Sequence, residues 1–283
     1  MTWQLLVGLS VLLYSINGLL HRTIMKDESS DAYAQAFAFT GLISFFFLIV
    51  LLFRGGFVSS PSWSQLLLFV LTALLSSIGM VFTFMGFKSI SASEHTILLT
   101  SSRLWLMIGA ILLLQESLTI AKLTGTVAIL FGVVFAEWRG RTFVFNKGAV
   151  YVLLAALFFA SSETVSFFIV RNFDVLSYMF YSSVFVTSML FIFRPKVVKK
   201  LSFYLKPRRA LNICTTSVND ALANVFGLAA YQVGRNALQI GPIMATQTLL
   251  TVLLAIAILR ERDYMPQKIV GSLAALFGTI LLL

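Results

Sequence analysis

"ESLTIAKLTGTVAILFGVVF" (116–135) and "ERDYMPQKIVGSLAALFGTILLL" (261–283) are two versions of one phrase, and their repetition decides the fold. Lys122 stands against Lys268, Gly125 against Gly271 and Phe131-Gly132 against Phe277-Gly278, all at an offset of 146. One residue is inserted between each Glu and its Lys, because Glu116 matches Glu261 at 145. The register runs on to the other end of each half, where Ser15 and Asn17 fall opposite Ser161 and Glu163. Matches at both ends of each half mark an internal duplication.

Composition says which solvent the duplicated unit occupies. Hydrophobic residues make up 59% of the 283, charged residues 11%, and the mean hydropathy is +0.93, far too apolar for an aqueous globular domain. A helical span needs about 20 mostly apolar residues to cross about 30 Å of hydrocarbon. Ten such segments are present, at 3–20, 32–53, 64–87, 95–114, 119–137, 148–170, 176–193, 210–233, 240–259 and 267–283. Runs such as "ISFFFLIVLLF" (43–53) do not alternate apolar with polar, which argues against a β-barrel. Pro61, Pro195, Pro207, Pro242 and Pro266 are expected in loops or first helical turns, where a missing N–H costs least. The longest connection, 194–209, reads as a loop. The first segment has no basic residue before it and no cleavage-like small-x-small site, so a retained helix is expected rather than a signal peptide.

Two halves, 1–146 and 147–283, thus hold five spans each. An odd number makes the halves enter the membrane in opposite senses, so the expected fold is an all-α integral membrane protein of ten transmembrane helices in two inverted five-helix repeats. In secondary transporters with such repeats the site lies near the bilayer midplane at the interface of the halves. Gly125 and Gly132 share a helix face, as do Gly271 and Gly278, and glycine faces permit close packing in lipid.

A span, a turn with "QES" (115–117) or "RER" (260–262), then a helix with Gly-x6-Gly ending in "FG" plus aliphatics, once per half, resembles the drug/metabolite transporter superfamily, in particular its ten-span EamA-like branch. "LLYSING" (12–18) and "FFASSE" (158–163) look like degraded forms of that family's first-helix motif. The resemblance covers essentially the whole chain. It implies alternating-access transport of a small organic solute across a cell (plasma or inner) membrane, driven by a proton gradient or by exchange, by a monomer or homodimer. It does not identify the solute.

Ionisable groups inside a span cost about 2.5–3.5 kcal/mol on insertion scales, so they should face protein or a watery cavity. Three stand out: Arg103 in the fourth span, Glu163 in the sixth and Asp220 in the eighth. Thr96, Thr100 and Arg103 share one helix face; Thr216, Asp220 and Asn224 share another, with Tyr231 expected on that face too. Gln247, Thr248 and Thr251 form a milder stripe in the ninth span, where Thr248 is the repeat partner of Arg103. One reading is a substrate cavity lined by Arg103, Thr100, Asp220, Asn224, Gln247 and Thr248, with Glu163 or Asp220 taking up a proton or a cationic amine. The competing reading is a buried ion pair between Arg103 and one acid that fixes helix register and touches no ligand. The three charges sum to minus one, which favours cationic or zwitterionic solutes over anions. Glu163 has the neutral Asn17 as its repeat partner, an asymmetry that single-proton coupling and neutral drift explain equally well.

Glu94 and His95 sit at the mouth of the fourth span, where a pH-sensing gate is set against a solvated helix start capped by Ser93. Glu116 and Glu261 read as turn and helix-end structure. Cys214 is the only cysteine and His21 and His95 are the only histidines, so neither an internal disulfide nor a Cys/His metal site is expected, and no cofactor is implied. G-x-S-x-G, H-E-x-x-H and nucleotide-binding motifs are absent, which counts against a polytopic membrane enzyme and against ATP-driven transport. A passive facilitator or lipid scramblase shares the hydropathy and stays as the alternative function.

Orientation receives two conflicting signals. Arg54, Lys122, Arg171 and Arg235 fall on the side that carries both termini, whereas the rest of the 21 Lys and Arg, Arg103 excepted, fall on the other. The positive-inside rule puts the basic side in the cytoplasm and the termini outside; the family resemblance implies the reverse. The net charge of +10 has this same origin, so no nucleic acid is invoked, and the basic stretch 194–209 is read as contacting anionic lipid headgroups.

Overall fold

The computed structural model describes residues 2–25, 30–90, 95, 98–137, 146–250 and 265–282. Among them every regular element is helical: α1 (Trp3–Met25), α2 (Ala32–Phe53), α3 (Trp63–Ser89), α4 (Ser102–Leu113), α5 (Ile120–Glu137), α6 (Lys147–Val170), α7 (Val175–Phe193), a 3-10 helix (Pro195–Leu205), α8 (Pro207–Gly234), α9 (Ala237–Ala245) and α10 (Met265–Leu282). Four segments, Ala32–Phe53, Trp63–Gly86, Lys147–Val170 and Val175–Phe193, are individually long and apolar enough to cross a membrane.

Short polar side chains set the helix starts by taking up the first free N–H groups. Asp31 accepts from the N–H groups of Tyr33 and Ala34 at 3.0 Å, Asn146 from Ala149 at 3.0 Å and Asp174 from Ser177 at 2.9 Å. Ser62 and Gln65 cap α3 reciprocally. Pro207 opens α8 at a position that has no use for an N–H. The turn after α2 runs through Gly55 and Gly56, at φ +91° and +116°, conformations that L side chains rarely adopt.

Contacts between connections fall into two groups, one at each end of the helix bundle. At one end Arg54 donates to both Asp174 oxygens at 2.9 Å, Arg171 donates to the Leu114 carbonyl at 2.8 Å, and Arg235 donates to the Arg171 carbonyl. At the other, Lys88 donates to the Ser30 carbonyl while Arg194 and Lys200 converge on Asp31. Burial pushes the Asp31 carboxyl up, but bonds from Lys200 and the Ala34 N–H, with Arg194 nearby, outweigh it and leave the group below the usual carboxylate range. Asp174 follows the same logic: burial raises it, and bonds from Ser177 and Arg54 bring it below that range.

Many of the helix pairs match under exchange of α1–α5 with α6–α10, although α5 against α9 has no comparable α10 against α4 among the described residues. The pair α3–α6 has its counterpart in α8–α1, α3–α7 in α8–α2 and α4–α6 in α9–α1, while α2–α7, α4–α9 and α5–α10 map onto themselves. In the α5–α10 crossing the repeated glycines meet. A Cβ on Gly125 would lie 2.9 Å from the Gly278 carbonyl oxygen, and one on Gly278 would lie 2.8 Å from the Ile129 nitrogen. No side chain larger than hydrogen fits there.

Three sequence expectations need correction. Pro242 is neither in a loop nor in a first turn but inside α9, which begins five residues earlier at Ala237. The helix tolerates it because it is short and is interrupted again at Thr246. The stretch 194–209 is no loop: Val197 and Tyr204 are buried against Ala34 and Ile213, and that apolar contact winds it into the 3-10 helix before α8 starts. His95 is 1% exposed, so it is not a solvated helix start, while Ser93 and Glu94 lie outside the described residues.

Candidate functional site

The segments expected to form the fourth and ninth spans are both interrupted, at matching places. Helical residues 98–100 precede a turn at Ser101, after which α4 begins; α9 ends at a turn at Thr246, after which residues 247–250 are helical again. At each turn the backbone tightens to a bond three residues back, Ser101 N–H to the Leu98 carbonyl at 3.1 Å and Thr246 N–H to the Ile243 carbonyl at 3.0 Å. Each hydroxyl repeats the bond to the same carbonyl, at 2.7 Å for Ser101 and 2.6 Å for Thr246. Two residues beyond each turn stand Arg103 and Thr248. In secondary transporters, interrupted spans at corresponding positions of two repeats are where substrate sites are found.

Arg103, on α4, donates to both oxygens of Glu163, on α6, at 2.9 and 3.1 Å. Gly109 of α4 lies directly against Thr164 of α6, so a small residue brings the two backbones close enough for this pair to form. The side chains keep 13% and 25% of their surface accessible, so neither is sealed from a solute.

Asp220, on α8, is held by amides instead. Its Oδ1 accepts from Asn17 on α1 at 3.0 Å and its Oδ2 from Asn224 one turn along at 2.9 Å. Asn17 is in turn fixed by Asn219, whose amide nitrogen donates to the Leu13 carbonyl at 2.7 Å and to the Asn17 side-chain oxygen at 3.1 Å. α1 and α8 pack closely here: Ser10 donates to the Ala223 carbonyl at 2.8 Å, and Ser15 donates to the Gln247 carbonyl at 3.0 Å, bringing the second segment of the ninth span alongside. Tyr14 ties the groups together. It lies within electrostatic reach of Asp220, Glu163 and Arg103 and in hydrogen-bonding contact with Asn224.

Arg103, Glu163 and Asp220 therefore all lie within electrostatic reach of one tyrosine, with Asn224 on Asp220 and Gln247 held to the same helix, α1, through its backbone. Thr100 is buried at the interruption beside Arg103, and Thr248 is half-buried beside Thr246. Tyr231 departs from the expected stripe. It is fully buried, stacks on Phe167 at 4.2 Å between ring centres, and accepts from Arg171 at 2.9 Å, so it belongs to the contacts at the Arg171 end of the bundle and not to the Asp220 group. Thr216 is buried too and donates to the Asn212 carbonyl. Thr96 and Thr251 lie outside the described residues.

Tyr14, Asn17, Asn219, Ser101 and Thr246 complete the site and were not singled out as site residues by sequence. Asn17 was marked only as the partner of Glu163, and Tyr14 only as part of "LLYSING". A polar residue on every turn of the first span was the available signal. Among the described residues no group of three His, Cys, Asp or Glu converges as a metal site would require.

Glu116 resolves differently from a simple turn residue. Its two carboxylate oxygens accept from the N–H groups of Ala237 at 2.8 Å and Leu238 at 2.9 Å, so it caps α9, a helix of the other half. Glu261 lies outside the described residues.

Comparison with known proteins adds independent findings. The model of the EamA-like transporter family matches residues 1–138 and again 146–283. No curated protein matches the chain. A solved structure described only as the crystal structure of a protein superposes with a TM-score of 0.77 over 99% of this chain and 95% of its own, at 15% identity, a likeness of fold.

Proposed function

The chain belongs to the EamA-like transporter family, a multi-pass membrane transporter of the drug/metabolite type, and from that premise we propose that it is a secondary transporter working by alternating access. It moves a small organic solute across the plasma or inner membrane, with a proton gradient or an exchanged solute as the driving force. Each of the ten helices marks one of ten spans, arranged as two inverted five-helix repeats over 1–146 and 147–283.

The observation that supports this most directly is the matched interruption at Ser101 and Thr246 beside a polar cluster drawn from both halves. Alternating access needs elements of the two halves that bend about a fixed site, and a 3-10 turn within a span is a place to bend. The largely symmetric pairing of helices and the division of the loop contacts between the two ends agree with inverted repeats. Arg103, Thr100, Asp220, Asn224, Gln247 and Thr248 line the path, and Glu163 or Asp220 carries the coupling proton. Charge bias orients the end bearing Asp31, Arg194 and Lys200 toward the cytoplasm.

The test is uptake by purified protein in proteoliposomes from a pooled library of amino acids, sugars, amines and nucleotides, with and without an imposed pH gradient. Saturable accumulation of one class supports a transporter, and dependence on the gradient supports proton coupling. Non-saturating flux, or movement of labelled lipid alone, supports the facilitator or scramblase instead.

A further inference from the structure

Two of the three charges at the interface of the halves cancel each other. Both Glu163 oxygens accept from one guanidinium nitrogen, Nη1 of Arg103, so the carboxylate already matches the guanidinium's charge. Asp220 is differently placed. Among the described residues the ion pairs are Arg54–Asp174, Arg103–Glu163, Arg194–Asp31 and Lys200–Asp31, and none involves Asp220.

The amides around Asp220 are oriented by necessity. The Leu13 carbonyl only accepts, so Asn219 must turn its NH2 toward it. That same NH2 reaches the Asn17 oxygen, which leaves the Asn17 NH2 facing Asp220. Asn224 shares its NH2 between the Asp220 carbonyl at 3.0 Å and the carboxylate at 2.9 Å. Two amide donors satisfy one lone pair on each oxygen and leave the negative charge uncancelled. An ionised carboxylate has about four acceptor positions, so about two stay open to a ligand. Among the described residues the other ionisable groups near this place are Tyr14 from α1 and, within electrostatic reach of that tyrosine, Arg103 from α4 and Glu163 from α6, and the last two cancel.

We infer that Asp220 holds the ammonium group of the transported solute, so that the substrate class is a protonated organic amine lacking a carboxylate. This rests on the transporter reading and narrows it. An amino acid or other zwitterion would need an unmatched cation for its carboxylate, and among the described residues the cation at this place, Arg103, already has its charge matched by Glu163. A sugar would leave the Asp220 charge unmatched in a low-dielectric interior. Asn17, Asn219 and Asn224 act as positioning residues for the carboxylate.

The experiment uses matched triplets: phenethylamine, phenylalanine and 2-phenylethanol; isopentylamine, leucine and 3-methylbutanol; isobutylamine, valine and isobutanol. Uptake into proteoliposomes is read by mass spectrometry for the wild type, Asp220→Asn and Asp220→Glu, each checked for a single folded species by size exclusion and thermal melting. The expected result is that the wild type takes up at least one amine tenfold or more above its amino acid and alcohol. Asp220→Asn should bring that uptake down to the level of protein-free vesicles, and Asp220→Glu should restore part of it. Preference for an amino acid or an alcohol, or undiminished amine uptake by Asp220→Asn, overturns the inference and leaves the transporter reading standing. If the wild type accumulates no member of any triplet and nothing from the pooled library, both readings fall. Should Asp220→Asn not fold, the wild-type preference within the triplets decides.

Discussion

Ser101 and Thr246 occupy equivalent places in the two halves and make the same pair of bonds: backbone N–H and side-chain hydroxyl both donate to the carbonyl three residues back. A hydroxyl bonded to the backbone competes with the regular ladder and favours a bend. On the proposed alternating-access reading, these two bends are where the helical segments around Ser101 and Thr246 flex during transport.

Replacing both hydroxyls tests this. Ser101→Ala/Thr246→Ala removes the competing bonds and adds helix propensity worth about 0.5 kcal/mol per site. The double variant should melt at the same or a higher temperature in detergent, and its transport turnover should fall severalfold while its solute affinity stays near that of the wild type. Lower stability together with unchanged turnover would count against a hinge.

Glu116 predicts a stability effect that crosses the repeat boundary. Its carboxylate caps α9 with two short bonds, at a helix N-terminus that favours negative charge. Glu116→Gln keeps one acceptor and should cost about 1 kcal/mol; Glu116→Ala should cost about 2 kcal/mol. Thermal melts of purified variants read both. Equal stability of Glu116→Ala and wild type would mean that water or another group caps α9 as well.

Asp174 predicts a pH dependence with a definite sign. Its folded carboxyl sits below its ordinary range because bonds from Ser177 and Arg54 outweigh burial. Depression on folding stabilises the protein above the unfolded pKa of about 3.9, and that contribution is lost as pH falls through the folded value. The melting temperature should fall below about pH 4, and Asp174→Asn should flatten that fall while lowering stability at pH 7. Asp31, held down by Lys200 and Arg194, contributes in the same direction, so a residual slope should persist.

Close packing of α5 on α10 makes Gly278→Ala the most informative glycine substitution. The added Cβ would lie 2.6 Å from the Gly125 carbonyl oxygen and 2.8 Å from the Ile129 nitrogen, both backbone atoms that cannot swing aside. The helices must separate, at a cost of about 1–3 kcal/mol. Gly8→Ala, where nothing lies within 4 Å of the added carbon, is the matched control and should leave the melt unchanged or raise it slightly through helix propensity.

How much of this was legible in the sequence depends on the distance over which each feature is decided. Helix positions are set by local hydropathy and caps, and 32–53 and 176–193 match α2 and α7 to within a residue. The glycine crossing was visible because the same spacing occurs twice. Arg103, Glu163 and Asp220 announced themselves as charges in apolar runs, but which acid pairs with Arg103 is settled by α4 packing on α6, a tertiary contact with no local trace. Pro242 misled because a proline signals where a helix is weak, not how far upstream it begins. Asn17 and Asn219 were illegible as a relay, since an amide on an apolar helix shows its role only once the carbonyl it must face, that of Leu13, is known.

The Arg103–Glu163 pair yields the last prediction, and it separates register from ligand binding. Glu163→Gln keeps the shape but leaves the Arg103 charge unmatched inside the bundle, and breaking such a pair by one partner costs about 3–5 kcal/mol when buried. With 13% and 25% of the two side chains still accessible, the lower end of that range is expected. Arg103→Met with Glu163→Leu removes both charges and should recover most of the loss, giving a coupling energy of about 2 kcal/mol in a double-mutant cycle of melting free energies. Because Asp220 is untouched, the doubly substituted protein should still bind amines, whereas loss of the pH-driven component alone in Glu163→Gln would assign the coupling proton to Glu163. A coupling energy near zero would mean that the two side chains act independently, and that the guanidinium of Arg103 is open to substrate after all.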